Sequence, residues 1–441
     1  MEALLSSGGP ETDVLVGPLQ YGLDPQGSYV TARRQSTTFS NVNSASPAGV
    51  KTITINVGSA SEWLDPSTVL LCMQINNTDA TSTGHLALWP ATPGAECLFS
   101  RLQIRLGSTL VEDIQEYGKL SHLMHQLSQS PQKRLEQGHL GFGTQAATAA
   151  GGYSLTGQHD ARTIPADGSK KVYMKFDLSG LLSQSKWCPL FALGGQGLQI
   201  QLTLADANQA VITADNGVNY SQSYTLTDIR LLADMCSLNG ELQESFNAAL
   251  LNSTSLKIPV RSWEILVNYL PADSSGSFDV AISKNYTRLA TLFAVFNQNP
   301  PGDNSGKAKL VNTSYCPGGT AIENLEYALH LGSRRIPDNN VRGTSESWYR
   351  LQGALGVYNS LAHATSVDQD SYTSNTFAIG VDCERMPMVS ASGENLSTGQ
   401  TIFLKVKGMG TTSADVPRQC RVCAHFEQII SISDTVVDVF T

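Results

Sequence analysis

The chain has few charged residues and no large cluster of basic residues that could bind a polyanion. Only 15% of its 441 residues are charged, and the formal net charge is −9. Basic residues cluster no further than the pairs Arg33-Arg34 and Arg334-Arg335, which we interpret as parts of a solvated strand or turn. A protein that binds a phosphate backbone directly needs a basic surface, so nucleic-acid binding is not predicted as the main task.

Signals for export or membrane insertion are also missing. The first twenty residues lack both the basic start and the continuous apolar core of a signal peptide, and no stretch approaches the length of a membrane span. We therefore expect folding in a reducing compartment. The six Asn-x-Ser/Thr matches are then interpreted as chance, at Asn76, Asn219, Asn252, Asn285, Asn312 and Asn395.

Recognisable catalytic and metal-binding motifs are absent. No Gly-x-Ser-x-Gly elbow and no phosphate loop occurs. His122 and His125 lie three apart on a predicted helix without a nearby carboxylate in sequence, and we interpret them as a polar helix edge. His425 and Glu427 share a strand face as in a cupin-type metal site, but no companion cluster accompanies them. We predict no enzyme activity, no cofactor, and no catalytic, cofactor-binding or metal-binding residue.

Cysteines are spread singly through the chain except for Cys420 and Cys423. This pair resembles a redox or metal motif in spacing. It lies in a run with period two, however, where an odd separation places the two side chains on opposite faces of a strand. We predict that both are buried free thiols.

Many short alternating runs and 38 glycines indicate an all-β protein. Runs such as Leu198–Leu204 and Phe278–Ile282 place apolar residues at every second position, as half-buried strands do. Parallel strands of βαβ folds are instead continuous apolar runs. About seven or eight such strands with two long connections in each half of the chain fit a jelly roll. We predict two tandem eight-stranded antiparallel jelly rolls, each with an inserted helix.

An internal repeat supports the division into two halves. In Leu98–Leu127 a strand is followed by the turn Gly107-Ser108, a second short strand and an amphipathic helix, for which Asp113 is the predicted cap. The same order returns in Leu325–Tyr358, with the turn Gly332-Ser333. We predict an N-terminal arm at residues 1–35, a first jelly roll at 36–237, a linker helix at 238–253 and a second jelly roll at 254–441.

A lectin-like, carbohydrate-binding sandwich is the alternative to a purely structural role. Such sites need exposed aromatic platforms with polar neighbours. The five tryptophans are scattered one to a segment, where core or interface packing explains them equally well: Trp63, Trp89, Trp187, Trp263 and Trp348.

Several stretches resemble the double jelly-roll major capsid proteins of DNA viruses, the lineage of adenoviruses, polinton-like viruses, virophages and giant-virus relatives. Tyr29–Phe39 is similar to the segment that these proteins place before the first strand. Trp63–Pro66, interpreted here as a turn, also matches, as do Leu106–Ile114 with the helix from Tyr117, and the closing Val422–Ile432. The resemblance extends from about Tyr29 to the end of the chain.

The resemblance implies a structural function in the virion capsid, without enzyme activity. In that family three copies form a trimer whose six upright jelly rolls make a pseudo-hexameric capsomer, and many capsomers tile an icosahedral shell. It implies contacts with neighbouring capsomers and with penton and minor capsid proteins, without sequence-specific binding of nucleic acid. Residues 1–35 would face the shell interior, and the helices at Glu116–Leu127 and Ser345–Leu361 would brace the jelly rolls.

Overall fold

The structure is a computed structural model of the chain. It describes residues 30–440 except 41–43, 60, 80–87, 93, 131–132, 134–135, 137–138, 143–162, 213, 216–217, 253–254, 272–275, 298–323, 358–364, 366, 375, 387–391, 397–400, 410–416 and 434–435. The sequence pattern also predicts loops at 128–169, 297–320 and 386–399. Most of the first two, and much of the third, lie outside the described residues.

The described strands fall into two successive groups. The first group is β1 (Val30–Phe39), β2 (Ser44–Ala45), β3 (Thr52–Val57), β4 (Trp63–Asn77), β5 (Phe99–Leu106), β6 (Thr109–Gln115), β7 (Ser169–Lys175), β8 (Cys188–Pro189), β9 (Leu198–Leu204), β10 (Ala214–Asp215), β11 (Val218–Asn219) and β12 (Tyr224–Leu238). The second group is β13 (Leu256–Tyr269), β14 (Phe278–Ile282), β15 (Leu289–Asn297), β16 (Glu326–Leu331), β17 (Arg334–Arg342), β18 (Ala378–Asp382), β19 (Ile402–Lys407), β20 (Gln419–Ser433) and β21 (Val436–Phe440).

Short helices connect the strands. They are α1 (Tyr117–Ser128), α2 (Ala207–Ala210), α3 (Gly240–Leu251), α4 (Gly343–Ala354) and α5 (Gln369–Ser374), with 3₁₀ turns at Ala95–Leu98 and Leu190–Gln196. Helix α3 separates the two groups of strands, where the sequence predicts a linker helix. No helix in the described part of the chain is long and apolar enough to cross a membrane.

Each group of strands forms two facing sheets with the strand order of a jelly roll. In the first, β1-β12-β4-β7 make one sheet and β3-β9-β5-β6 the other. In the second, β13-β20-β15-β18 and β14-β19-β16-β17 repeat that order position by position. All these pairings are antiparallel. The predicted fold class, two tandem eight-stranded jelly rolls, is confirmed.

Alternation along the strands explains why these segments form sheets. In β9 the residues at Leu198, Ile200, Leu202 and Leu204 are buried while those between them are half-buried. Burial of one apolar side chain contributes about 1.5–3 kcal/mol, so alternation selects which face of a strand turns inward. Strand β15 is buried at nearly every position because its sheet is covered on both faces.

The predicted repeat is present in the topology. The turns at Gly107 and Gly332 join β5 to β6 and β16 to β17, and both glycines have a positive φ near 60°. Helices α1 and α4 follow β6 and β17, the equivalent strands. Their packing differs, however. Helix α1 lies on β5 and on the 3₁₀ turn at Ala95–Leu98, whereas α4 lies mainly on β18.

Two local sequence predictions are wrong. Trp63–Pro66 is not a turn but the start of β4, where the register shifts beside Asp65 and a bulge tolerates the missing N–H of Pro66. Asp113 does not cap α1, because it lies inside β6 and pairs with Arg101 at 2.6 Å. The residue that caps α1 is Glu116, with φ of 47° and no side-chain capping bond.

The beginning of the chain also differs from the prediction. Residues 30–35, assigned to the arm, belong to β1, which pairs with β12 along the edge of the first sheet. Its side chains are mostly exposed, so apolar alternation is absent and the sequence pattern could not reveal the strand. Ordered backbone pairing therefore begins no later than Val30.

Candidate functional site: the contact between the two jelly rolls

Strand β6 of the first jelly roll lies against the second jelly roll. The side chain of Thr109 donates to the Val437 carbonyl at 3.0 Å, and the amide of Gln428 donates to the Val111 carbonyl at 3.1 Å. Just beyond the strand, Glu116 accepts a hydrogen bond from the Arg421 guanidinium. These contacts join β6 to β20 and β21.

The order of these contacts gives the relative direction of the jelly rolls. Thr109 directly follows the β5–β6 turn, and it meets β21 beside the end of β20. Glu116 lies past the other end of β6, and it meets Arg421 near the start of β20. In the second jelly roll the short β14–β15 connection joins the two sheets. The end of β14 lies level with the β16–β17 turn, and the start of β15 lies toward the end of β20. The end of β20 and the β16–β17 turn are therefore at the same end of this jelly roll. The jelly rolls therefore stand side by side and point the same way.

The Glu116–Arg421 ion pair is the most buried charge contact between the jelly rolls. The side chain of Arg421 is 4% exposed and that of Glu116 is 24% exposed. The Lys119 ammonium group also contacts the Glu116 carboxylate, at 3.3 Å. The pKa of Lys119 is lowered, mainly by burial and to a lesser degree by the positive charge of Arg421. Because a guanidinium is costly to bury alone, Glu116 is required wherever Arg421 stays in this position.

A glycine permits close backbone approach at the same contact. A Cβ atom at Gly180 would lie 2.0 Å from the carbonyl oxygen of Arg261 in β13. The Arg261 side chain in turn pairs with Glu384 at 2.7 Å and Glu427 at 2.9 Å. Any side chain at position 180 would push the jelly rolls apart.

A buried carboxyl group ties β6 to the segment that carries Gly180. Glu112 is 2% exposed and accepts hydrogen bonds from the Ser179 hydroxyl at 2.5 Å and from the Leu181 amide at 3.2 Å. Burial raises the pKa of Glu112 to about 7, although these hydrogen bonds oppose the shift. Glu112 thus holds the loop against β6 from within the first jelly roll.

The two histidines of α1 have the surroundings of packed side chains. His122 is buried, and His125 Nε2 lies 3.6 Å from the Asp177 carboxylate. No carboxylate lies near His125 in sequence, but Asp177 from a distant segment lies beside it in the fold, a neighbour that sequence spacing does not reveal. Among the residues that the structure describes, no three His, Cys, Asp or Glu side chains are grouped to hold a metal ion.

The pair His425 and Glu427 has structural partners in the sheet. The His425 ring stacks on Trp263 with ring centroids 4.2 Å apart, and Glu427 binds Arg261. Burial, followed by the charge of Arg261, lowers the pKa of His425. Its imidazole is therefore neutral at ordinary pH and acts as a packing group.

Cys420 and Cys423 are both buried and free, as predicted. Burial raises the pKa of the Cys423 thiol to about 12 and raises that of Cys420 as well. Thiolates are the reactive form of cysteine, so neither side chain is poised for redox chemistry.

No tryptophan forms an exposed aromatic platform. Trp63, Trp89 and Trp263 are buried, and the other two are half-buried. Trp63 packs edge-on against Phe191 and Phe246, which accounts for it as a core residue. Nothing in these surroundings favours the lectin-like alternative.

The two arginine pairs are exposed, and Arg33, Arg34 and Arg334 pair with carboxylates, while Arg335 donates to the Asn340 amide oxygen at 3.4 Å. Arg33 binds Asp234 at 2.8 Å, and Arg34 binds Glu62 at 2.5 Å. Arg334 is 60% exposed and binds the buried Glu394 at 2.9 Å. Sequence reasoning placed these arginines on strands or turns at the surface but missed their carboxylate partners, which lie far away in sequence.

The strand order and the two parallel barrels define a double jelly-roll protein. No protein-family model matches the sequence, and no curated protein matches it. Several solved structures that have the same fold come from viruses.

Three of these structures resemble nearly the whole chain. VP54 of PBCV-1, fitted into a reconstruction of the virophage Sputnik, has a TM-score of 0.61 and 11% identity, over 95% of this chain and 98% of that one. A chain of the Sputnik virophage has a TM-score of 0.55 and 11% identity, over 97% and 92%. The Faustovirus major capsid protein has a TM-score of 0.55 and 10% identity, over 98% and 96%. At such low identity the likeness shows a shared fold.

Proposed function

We propose that this protein is a major capsid protein, with a structural and non-enzymatic role in a virion. The observation that carries the proposal is the match in extent. The Faustovirus major capsid protein aligns over 96% of its own length with 98% of this chain, so the likeness in fold extends over both jelly rolls. A protein that used one jelly roll for binding a ligand would not need this complete tandem arrangement.

The same proposal includes a homotrimer that forms a pseudo-hexameric capsomer. Two barrels that stand side by side and point the same way give each copy two similar upright columns. Three copies around a threefold axis then place six jelly rolls in a ring. Such a particle has a six-sided outline, which suits a tile of an icosahedral shell. The Glu116–Arg421 ion pair and the hydrogen bonds from β6 join the two barrels within each copy, which supports their use as one tile.

The division of the chain follows from this arrangement. We propose an arm before the first strand, a jelly roll up to about residue 237, the linker helix at 238–253 and a second jelly roll from 254. Because β1 begins at Val30, the arm of this proposal ends at residue 29 instead of residue 35.

Partners follow from surface chemistry and from the proposed role. Neighbouring capsomers are the principal partners, with penton and minor capsid proteins at other positions of the shell. The net charge of −9 opposes direct binding of the packaged nucleic acid.

The test is the mass of the purified protein by light scattering, with negative-stain images of the same fraction. We expect a particle of three times 47.3 kDa with a six-sided outline. A particle that remains a monomer at high protein concentration, or a trimer without a six-sided outline, would contradict the proposal.

A further inference from the structure

A cleft opens beside the β16–β17 turn of the second jelly roll. Its volume is about 360 Å³, and a neighbouring hollow of about 250 Å³ shares Arg334, Arg385 and Glu394 with it. Leu331, Leu396 and Ile402 provide apolar surface in the larger part. The cleft therefore combines an apolar lining with two guanidinium groups.

Glu394 holds the two guanidinium groups in place. Its backbone pairs with Leu289 in both directions at 2.8 and 2.9 Å, and its side chain is 9% exposed. Arg334 Nη1 lies 2.9 Å from one carboxylate oxygen, and Arg385 Nε lies 3.0 Å from the other.

The side chains of Arg334 and Arg385 are 60% and 58% exposed, so most of their donors face solvent. The charged residues that line the larger part are Arg334, Arg385 and Glu394, so one positive charge remains there. The neighbouring hollow adds Arg335 and the carboxylates of Asp338, Asp382 and Glu384, of which Glu384 pairs with Arg261. A carboxylate can accept two parallel hydrogen bonds from an arginine, and this geometry suits the unused donors.

The cleft lies at the end of the molecule where the described chain begins. In the first jelly roll β1 starts at the end that carries the β5–β6 turn, because the short β3–β4 connection joins the two sheets there. The barrels point the same way, so the β16–β17 turn beside the cleft lies at that end too.

Residues 1–29 have the chemistry that this cleft would accept. They contain no Lys, Arg or His, and their acidic residues are Glu2, Glu11, Asp13 and Asp24. Glu11 and Asp13 directly precede the apolar run Val14-Leu15-Val16. Val30 comes seventeen positions after Asp13, a reach of roughly 60 Å at most for an extended chain.

We propose that the cleft between Arg334 and Arg385 binds the N-terminal segment of this chain. The carboxylates of Glu11 and Asp13 pair with the two arginines, and the following apolar residues cover the surface formed by Leu331, Leu396 and Ile402. The interaction explains why a chain with a net negative charge has two arginines around one buried carboxylate. It does not depend on the proposed capsid function.

The test is photo-crosslinking in the full-length protein, with p-benzoylphenylalanine at position 15 and mass spectrometry of the products. Crosslinks are expected at the residues that line the cleft, with a yield that falls as salt is added, because screening weakens exposed ion pairs. The charge-reversal variant E11K/D13K leaves the cleft intact and should lower the yield about tenfold. Mixing isotope-labelled and unlabelled chains tells whether the segment comes from the same copy or a neighbouring one.

Two variants of the folded part complete the test. R334Q/R385Q should also lower the yield, whereas R342Q should leave it unchanged. Arg342 lies on the same strand as Arg334 and is 73% exposed, but it pairs with Glu326 outside the cleft. Crosslinks mapped elsewhere, or a yield that E11K/D13K does not change, would overturn the proposal while leaving the mass of the particle, and hence the proposed function, unaffected.

Discussion

The pairing of Glu116 with Arg421 shows how single residues join the two jelly rolls. Removing the carboxylate leaves a guanidinium that is 4% exposed, and its Nη1 already has no hydrogen-bond partner in the described part of the chain. Uncompensated buried charges cost about 3–5 kcal/mol. Glu116 is partly exposed, so the lower end of this range applies.

We expect E116A to lower the free energy of unfolding by about 3 kcal/mol in chemical denaturation. R342A is the matched control, because the Arg342–Glu326 pair is exposed and should cost less than about 0.5 kcal/mol. Equal losses in the two variants would show that the contact between the jelly rolls contributes nothing particular to stability.

Glu112 provides a pH-dependent contribution to stability. Its folded pKa of about 7 lies above the ordinary value of 4.5, so the folded state holds a proton that the unfolded state has released between these values. Stability from this group is therefore complete below about pH 4.5, is lost as the pH rises to about 7, and changes little above that. The total is about 3 kcal/mol.

The variant E112Q isolates this effect, since glutamine keeps the shape but does not titrate. We expect the stability of the natural protein relative to E112Q to fall by about 3 kcal/mol between about pH 4.5 and about pH 8. Denaturation curves at several pH values measure it. A difference that stays constant with pH would mean that folding does not raise the pKa of Glu112.

At the scale of elements, α1 and α4 occupy equivalent positions in the chain but pack on different strands. Leu120 of α1 is 2% exposed, and Leu351 of α4 is 0% exposed. The Leu351 side chain lies so close to Gly380 of β18 that a Cβ there would be 2.8 Å from its Cδ1. Both helices thus close the surface of their own jelly roll.

L120A and L351A should each cost about 2–5 kcal/mol, because each leaves a cavity under a helix. Y349A on the exposed side of α4 is the control and should change stability by less than about 0.5 kcal/mol, since Tyr349 is 54% exposed. Thermal or chemical unfolding measures all three. Small effects at both leucines would place the helices outside the cooperative fold.

At the scale of the whole molecule, the boundary between arm and first jelly roll can be tested by truncation. Removing residues 1–29 leaves every described strand intact, so we expect a folded particle of unchanged stoichiometry. Removing residues 1–39 also deletes β1, which exposes the edge of β12 and removes the Arg33–Asp234 pair.

The longer truncation should therefore lower the melting temperature and promote aggregation, while the shorter one should not. Light scattering and a thermal melt of both variants provide the comparison. If the two behave alike, β1 contributes nothing to the fold and the arm extends to residue 39.

Period-two alternation let the sequence alone predict most strands, and the Gly-Ser pairs between alternating runs predicted both glycine turns. The linker helix was predicted where that alternation gives way to helical spacing. Alternation is a local property, because each apolar residue reports only which way it faces. The repeat of strand, turn and helix is local as well, and it indicated two similar halves. The sequence did not predict β1, because this strand is mostly exposed on both faces, and it did not predict the start of β4, because that segment contains Pro66.

Only the tertiary structure decided which distant groups meet. Glu116 and Arg421 are 305 positions apart, and nothing near either residue specifies the other. The same holds for Glu394 and Arg334, which are 60 positions apart, and for Gly180 against Arg261. Such contacts depend on strand register and on how two complete barrels pack, and burial makes them specific because an unpaired charge is costly there.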